Sequence, residues 1–157
     1  LWVYYCCAQS SLVPNRFFAM ESARNRIMGV LMYLYGIKGF LHWGYNFYNS
    51  KFSLHPVDPY RVTHADYAFP SGDPFLVYPG PDGAPLSSVR AEVQDDALLD
   101  LRALQLLEQL AGRAFVEELI YADAEMRPMT FRDYPRGAGY LLALRERVAA
   151  EIESRLA

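Results

Sequence analysis

His42-Trp43-Gly44-Tyr45-Asn46 closes a short apolar run that begins at Gly39. It gathers an imidazole, two aromatic rings and an amide at one strand end. Flat rings beside hydrogen-bonding groups suit sugars, which have apolar faces and hydroxyl rims. On an extended strand Trp43 and Tyr45 share a face and His42 takes the other. Asn46 either bonds a ligand hydroxyl or caps the following loop. Asp73, after Ser71-Gly72, either binds substrate or closes a turn. Tyr78 ends a second apolar run from Pro74, and either Tyr4 or Tyr5 faces inward from a third. The candidate sugar-binding side chains are therefore Trp43, Tyr45, Asn46, Tyr78, Tyr5 and Asp73. For each ring the structural alternative is a place in the core, and His42 reads as a structural histidine.

Other chemistries lack the residues they need. His42, His55 and His64 have no ligand-like spacing with carboxylates or cysteines, so neither a metal nor a cofactor is expected. There is no glycine-rich phosphate loop. Cys6 and Cys7 are neighbours, which rarely bridge. On a strand they would face opposite sides as two small buried hydrophobes. The acidic pairs Asp95-Asp96 and Glu117-Glu118 read as a dipole-favoured helix start and a solvated helix face, so no catalytic role is assigned to them.

Three apolar runs must position these groups: residues 1–7, 39–45 and 74–78. A helix over 22–35 lies between the first two, with Ile27, Val30, Leu31 and Leu34 at helical spacing and Gly36 where a left-handed cap belongs. Residues 49–73 form a long loop punctuated by Pro56, Pro59, Pro70 and Gly72, a length that points to function. Strand, helix, strand, loop, strand, helix predicts consecutive βα units of a parallel sheet. From about residue 95 the chain is helical. Helices are expected over 97–111, with Leu99, Ala103, Leu106 and Leu110 on one face, over 114–126, and from about Pro135 onward, with Tyr140, Leu144, Val148, Ile152 and Leu156 in a row. Arg90 and Glu92 are expected to pair.

The chain has 157 residues, 52% hydrophobic and 21% charged, which is globular composition. A net charge of −3 gives no electrostatic case for nucleic acid or an anionic membrane. No apolar run approaches a membrane span. The chain opens on an apolar run without Met, which reads as a fragment whose partner strands are supplied by a preceding part or by self-association.

Tyr4-Tyr5-Cys6-Cys7, Pro14-Asn15, Arg26-Ile27, Tyr35 to Trp43, Phe69-Pro70-Ser71-Gly72-Asp73, Phe75 to Gly80 and Ser87 to Glu92 occur in that order. Together they resemble the bacterial "domain of unknown function 4091" family, which is similar to the β-N-acetylgalactosaminidases of glycoside hydrolase family 123. The resemblance covers roughly residues 1–110. Val30, Tyr33 and Leu34 stand where that family usually carries tryptophans and a lysine, and Asp96 to Arg102 replaces its usual Gly-x-x-Asp-Tyr-Glu pattern.

The resemblance implies an α/β chain: the C-terminal portion of a (β/α)8 TIM-type barrel, with three parallel strands in residues 1–94. The final barrel helix and an α-helical extension would occupy 95–157. It further implies a parent that hydrolyses 2-acetamido sugars by a substrate-assisted retaining mechanism. The adjacent Asp-Glu pair of that mechanism would precede Leu1, so this chain would supply one wall of the site, be inactive alone, and take an N-acetylhexosamine-containing glycan as its partner. The alternative is a non-catalytic carbohydrate-binding or structural module on the same scaffold.

Overall fold

The computed structural model describes residues 1–4 and 6–157; the Tyr5 expectation lies outside the described residues. The fold is mixed α/β with few strands and several helices. In order it contains β1 (Trp2–Tyr4), α1 (Ser22–Arg26), α2 (Met28–Leu34), β2 (Gly39–Leu41), β3 (Tyr78–Pro79), β4 (Pro85–Leu86), α3 (Val89–Ala111), α4 (Arg113–Tyr121) and α5 (Ala138–Leu156). Among the described residues no helix is long and apolar enough to cross a membrane.

β1 and β2 pair in parallel, Trp2 opposite Gly39 and Tyr4 opposite Leu41. The chain crosses between them through α1 and α2, as the sequence predicts. The two helices are nearly one: Ile27 N donates to Ala23 O and Leu31 N to Ile27 O, so hydrogen bonding runs through the joint. Gly36, at φ +61°, ends α2. Its amide bonds Tyr33 O and that of Ile37 bonds Met32 O, a pair that satisfies two of the last carbonyls.

The third apolar run departs from the expected parallel strand. Leu76 and Val77 donate to Tyr45 O at 2.8 and 3.3 Å, Phe47 donates to Pro74 O at 3.1 Å, and Phe75 bridges Asn46 antiparallel. Tyr78–Pro79 then pairs antiparallel with Pro85–Leu86. Pro74 and Pro79 bracket the run, and neither has an amide hydrogen to give a ladder. Pro79 to Gly83 turns the chain straight back. β2 also ends early, at Leu41, so strand alternation stops before Trp43 and Tyr45.

The core lies between α1–α2 and the three later helices. Ile27, Val30, Leu31, Leu104, Leu107, Val116 and Ile120 are buried in it, with Met129, Tyr134, Leu141, Leu144 and Val148. α3 begins at Val89 rather than near Ala97, because the Ser88 hydroxyl accepts the Ala91 amide and caps it there. Asp95-Asp96 therefore sits inside the helix and not at its start. α4 stops at Tyr121, short of the expected Met126, and α5 starts at Ala138.

The buried stripe of α3 is Ala97, Asp100, Leu101, Leu104 and Leu107. The expected face of Leu99, Leu106 and Leu110 is instead exposed. The rotation follows Asp100, a buried carboxylate that accepts Arg26 Nε at 2.7 Å and Nη2 at 3.1 Å, and Arg145 Nη1 besides. Beside this cluster α2 meets α3 at Gly29, where an added Cβ would lie 2.0 Å from the Ala97 carbonyl oxygen.

Two stability predictions follow. Gly29→Ala must push α2 off α3 and should lower stability by about 2–3 kcal/mol. Asp100→Ala leaves Arg26 without its carboxylate and should cost about 3 kcal/mol. Denaturant midpoints of purified variants check both; a loss below about 0.5 kcal/mol in either would refute the corresponding contact.

Candidate functional site

The residues that follow β2 and those that end the 49–73 loop come together. Trp43 Nε1 donates to Asp73 Oδ2 at 3.0 Å. Asp73 is fully buried, while Trp43 is half-buried and tilted against Phe47 and Phe69, with ring centroids 5.2 and 4.9 Å away. Trp43 is thus a positioning residue for Asp73 as well as a ring at the strand end. Tyr45 and Asn46 are exposed. Tyr78 is half-buried, stacked on Tyr60 at 5.0 Å and edge-on to Phe75 at 5.1 Å.

Two arginines complete the arrangement, and neither is in the sequence-predicted set. Arg16 is buried with its guanidinium 4.7 Å from the Phe40 ring centre. Arg90, at the start of α3, turns away from Glu92. It donates to Gly72 O at 2.5 Å and lies 4.6 Å from the Phe18 ring centre. Glu92 instead accepts the Ser87 hydroxyl, so the expected Arg90–Glu92 pair is replaced. The exposed edge of Arg90 and Tyr78 borders a cleft of about 550 Å³, with Phe17, Phe18, Met20 and Ser88. The signal for both arginines was a lone guanidinium next to aromatic and proline residues, in Pro14-Asn15-Arg16-Phe17-Phe18 and in the stretch after Tyr78.

Electrostatics ties His42 and Asp73 to these arginines. Burial, with Arg16 and Arg90 nearby, pushes His42 down to about 3. Its Nδ1 accepts the Gly44 amide at 2.9 Å, so the neutral ring carries its proton on Nε2. Burial pushes the Asp73 carboxyl up, against the downward pull of the Trp43 N–H, Arg16 and Arg90. Burial also pulls Arg90 down. Asp73 Oδ1, His42 Nε2 and Arg90 Nη2 are buried atoms with no hydrogen-bond partner among the described residues. One acceptor and two donors are thus left unbonded in a buried setting.

The paired acids contribute nothing here. Asp96 on α3 approaches Arg26, and on α4 Glu117 bonds Arg113 and Glu118 bonds Arg127. Cys6 and Cys7 lie beyond β1, half-buried, and share one side with their sulfurs 3.7 Å apart, in contrast to the alternation expected of a strand.

A family description, glycoside hydrolase 123, catalytic domain, matches residues 1–107. The chain belongs to the glycoside hydrolase 123 family. Its function is accordingly glycoside-hydrolase-like and its substrate class carbohydrate. The match takes in both halves of the Trp43–Asp73 contact, Arg16 and Arg90, and ends within α3; α4 and α5 lie outside it. No curated protein matches the chain.

His42 yields a pH prediction. Its folded pKa is below its ordinary 6.5, so the unfolded chain binds the proton more readily. The corresponding stability is present above about pH 6.5 and is lost as pH falls toward 3. Asp73 acts with the opposite sign, in the window between the ordinary carboxylate value and its raised folded value. Between pH 6.5 and 5 the denaturant midpoint should therefore fall, and it should fall less in His42→Gln. Equal slopes for the two proteins would show that His42 is not held neutral.

Proposed function

We propose that this chain forms the sugar-binding wall of a glycosidase site that acts on 2-acetamido sugars by a substrate-assisted, retaining route. In that chemistry the acetamido carbonyl oxygen attacks the anomeric carbon and a carboxylic acid protonates the leaving oxygen. The sequence has no adjacent Asp-Glu pair, and its other acid pairs are engaged on α3 and α4. The proposal therefore gives this chain recognition and orientation, and leaves proton transfer to carboxylates outside it.

The carrying observation is that buried Asp73, held by the Trp43 N–H, keeps one carboxylate oxygen unbonded, and that His42 Nε2 and Arg90 Nη2 are unbonded too, on residues that Arg90 couples electrostatically. When the side chains that cover these atoms move aside, a sugar hydroxyl donates to Asp73 Oδ1, while an acetamido carbonyl or a hydroxyl oxygen accepts from His42 Nε2 or Arg90 Nη2. Tyr45, Asn46 and Tyr78, on neighbouring segments, supply an apolar floor and further hydrogen bonds. Tyr5 is kept among the candidates on the sequence alone. The parallel pair β1–β2, with Trp2, Tyr4 and Leu41 exposed, supports a reading in which further strands of a (β/α)8 barrel cover it, from elsewhere in a longer parent or from a second copy. Ligands then lie beyond the carboxyl ends of the strands, where His42 and Trp43 follow β2.

Titration of the chain with N-acetylgalactosamine, N-acetylglucosamine and glucose, followed by amide NMR shifts, tests this reading. The two acetamido sugars should give saturable shifts around residues 42–46 and 73–78, and glucose weaker ones. Trp43→Phe keeps a ring but removes the bond to Asp73, and should weaken binding roughly ten-fold. Shifts that fail to saturate with both acetamido sugars, or that localise elsewhere, would overturn it.

A further inference from the structure

Immediately after β1 the chain places two thiols side by side: Cys6 Sγ and Cys7 Sγ are 3.7 Å apart, both half-buried. This is van der Waals contact between sulfurs, so each is the other's nearest reaction partner. We propose that Cys6 and Cys7 form an oxidant-sensitive modification site, in which a peroxide or a small organic disulfide converts the pair into a vicinal disulfide. The inference stands apart from the carbohydrate reading.

The local environment divides the two roles. Burial alone would raise the Cys6 thiol, but hydrogen bonds from the Tyr4 hydroxyl, the Ala8 amide and the Cys7 thiol outweigh it and bring it below its ordinary value. Cys7 is pushed up, first by burial and then by Cys6. Cys6 is therefore the nucleophile and Cys7 the resolving thiol. With a peroxide, the Cys6 thiolate attacks one oxygen and the O–O bond breaks. The other oxygen leaves as hydroxide, takes a proton and becomes water, and Cys6 is a sulfenic acid. The Cys7 sulfur then attacks the Cys6 sulfur and expels hydroxide, which takes the Cys7 proton as a second water. Two thiols have given two electrons to one peroxide.

The rarity of bridges between neighbours bears on the lifetime of the product. Consecutive Cα atoms are about 3.8 Å apart, shorter than the usual disulfide range of about 4.4–6.8 Å. The eight-membered ring is strained, and strained disulfides are the readily reduced, reversible ones. Ring closure also turns the Cys6–Cys7 peptide. The Cys6 carbonyl accepts Asn15 Nδ2 at 3.0 Å, and Asn15 Oδ1 accepts the Arg16 amide at 2.9 Å, so the modified segment adjoins a candidate-site arginine.

The whole chain, folded and reduced, is treated with equimolar hydrogen peroxide, blocked with N-ethylmaleimide and weighed by mass spectrometry. The expected product is a monomer lighter by about 2 Da that takes up no maleimide. The loss should map to the tryptic peptide ending at Arg16, and dithiothreitol should restore two reactive thiols. Cys7→Ser should stop at a Cys6 sulfenic acid that dimedone traps, and Cys6→Ser should react roughly ten-fold more slowly. Should a variant fail to fold, the wild-type mass shift decides alone. A treated chain that keeps two alkylatable thiols, gains oxygens to the sulfinic state without the two-dalton loss, or forms only intermolecular dimers would overturn the proposal.

Discussion

The contact on which the rest depends is the one between α2 and α3. Gly29 lets the two helices approach until nothing larger than hydrogen fits against the Ala97 carbonyl. One helical turn away, Arg26 holds Asp100 with two hydrogen bonds in a buried setting. A buried ion pair adds little net stability, but it tolerates few geometries. It therefore fixes the rotation of a helix that runs from the candidate site to the far end of the core. At the amino end of α3, Asn25 Nδ2 holds the Arg90 carbonyl at 2.9 Å. The same packing that closes the core thus aims the Arg90 guanidinium at Gly72 and the segment bearing Asp73.

Charge balance explains the state of the site. Two guanidinium groups, Arg16 and Arg90, lie near one buried carboxyl and one buried imidazole. Burial disfavours charge on each of them. The arginines keep theirs because their intrinsic pKa is so high, and each gains an aromatic face, Phe40 for Arg16 and Phe18 for Arg90. His42 has no such reserve and gives up its charge. The result is a site with a positive background, a neutral donor at His42 and an acceptor at Asp73. A cation would meet repulsion from both arginines. Donor and acceptor atoms of both kinds remain for neutral groups, in keeping with the proposed carbohydrate ligand.

The sequence was legible where local chemistry decides. Gly36 marks a helix end because its positive φ is needed there, and β1 and β2 pair in parallel because a helix separates them. It was illegible where a distant residue decides. The exposed face of α3 was mistaken for the buried one because Asp100 counts as polar until Arg26, 74 residues away in sequence, meets it. The run 74–78 looks like a core strand by composition and is buried, yet two prolines deny it a ladder. Trp43 and Asp73 were each singled out, but nothing in their spacing indicates that they bond. In the sequence Arg16 reads as one more charge and Arg90 as a partner of Glu92, because a charge there looks solvated or locally paired until a structure surrounds it.

The long 49–73 loop earns its place by what its last residues accomplish. Ala65, Asp66 and Tyr67 all take positive φ, as do Phe52 and Ser53, a conformation unfavourable for residues with a Cβ. His64 offsets that strain: its Nδ1 accepts the Tyr67 amide, its carbonyl accepts those of Ala68 and Phe69, and its ring stacks on Tyr67. The chain then returns with the Gly72 amide on Thr63 O at 2.8 Å. Gly72 sits at φ +91°, where a Cβ would strike the Phe18 ring at 2.6 Å and crowd Arg90 Nη1 at 3.1 Å. No other residue type fits both the backbone and the space. Strain upstream and a glycine at the exit together deliver Asp73, without a side chain in between, to the indole N–H of Trp43. A loop built only to connect two elements would have no need of either.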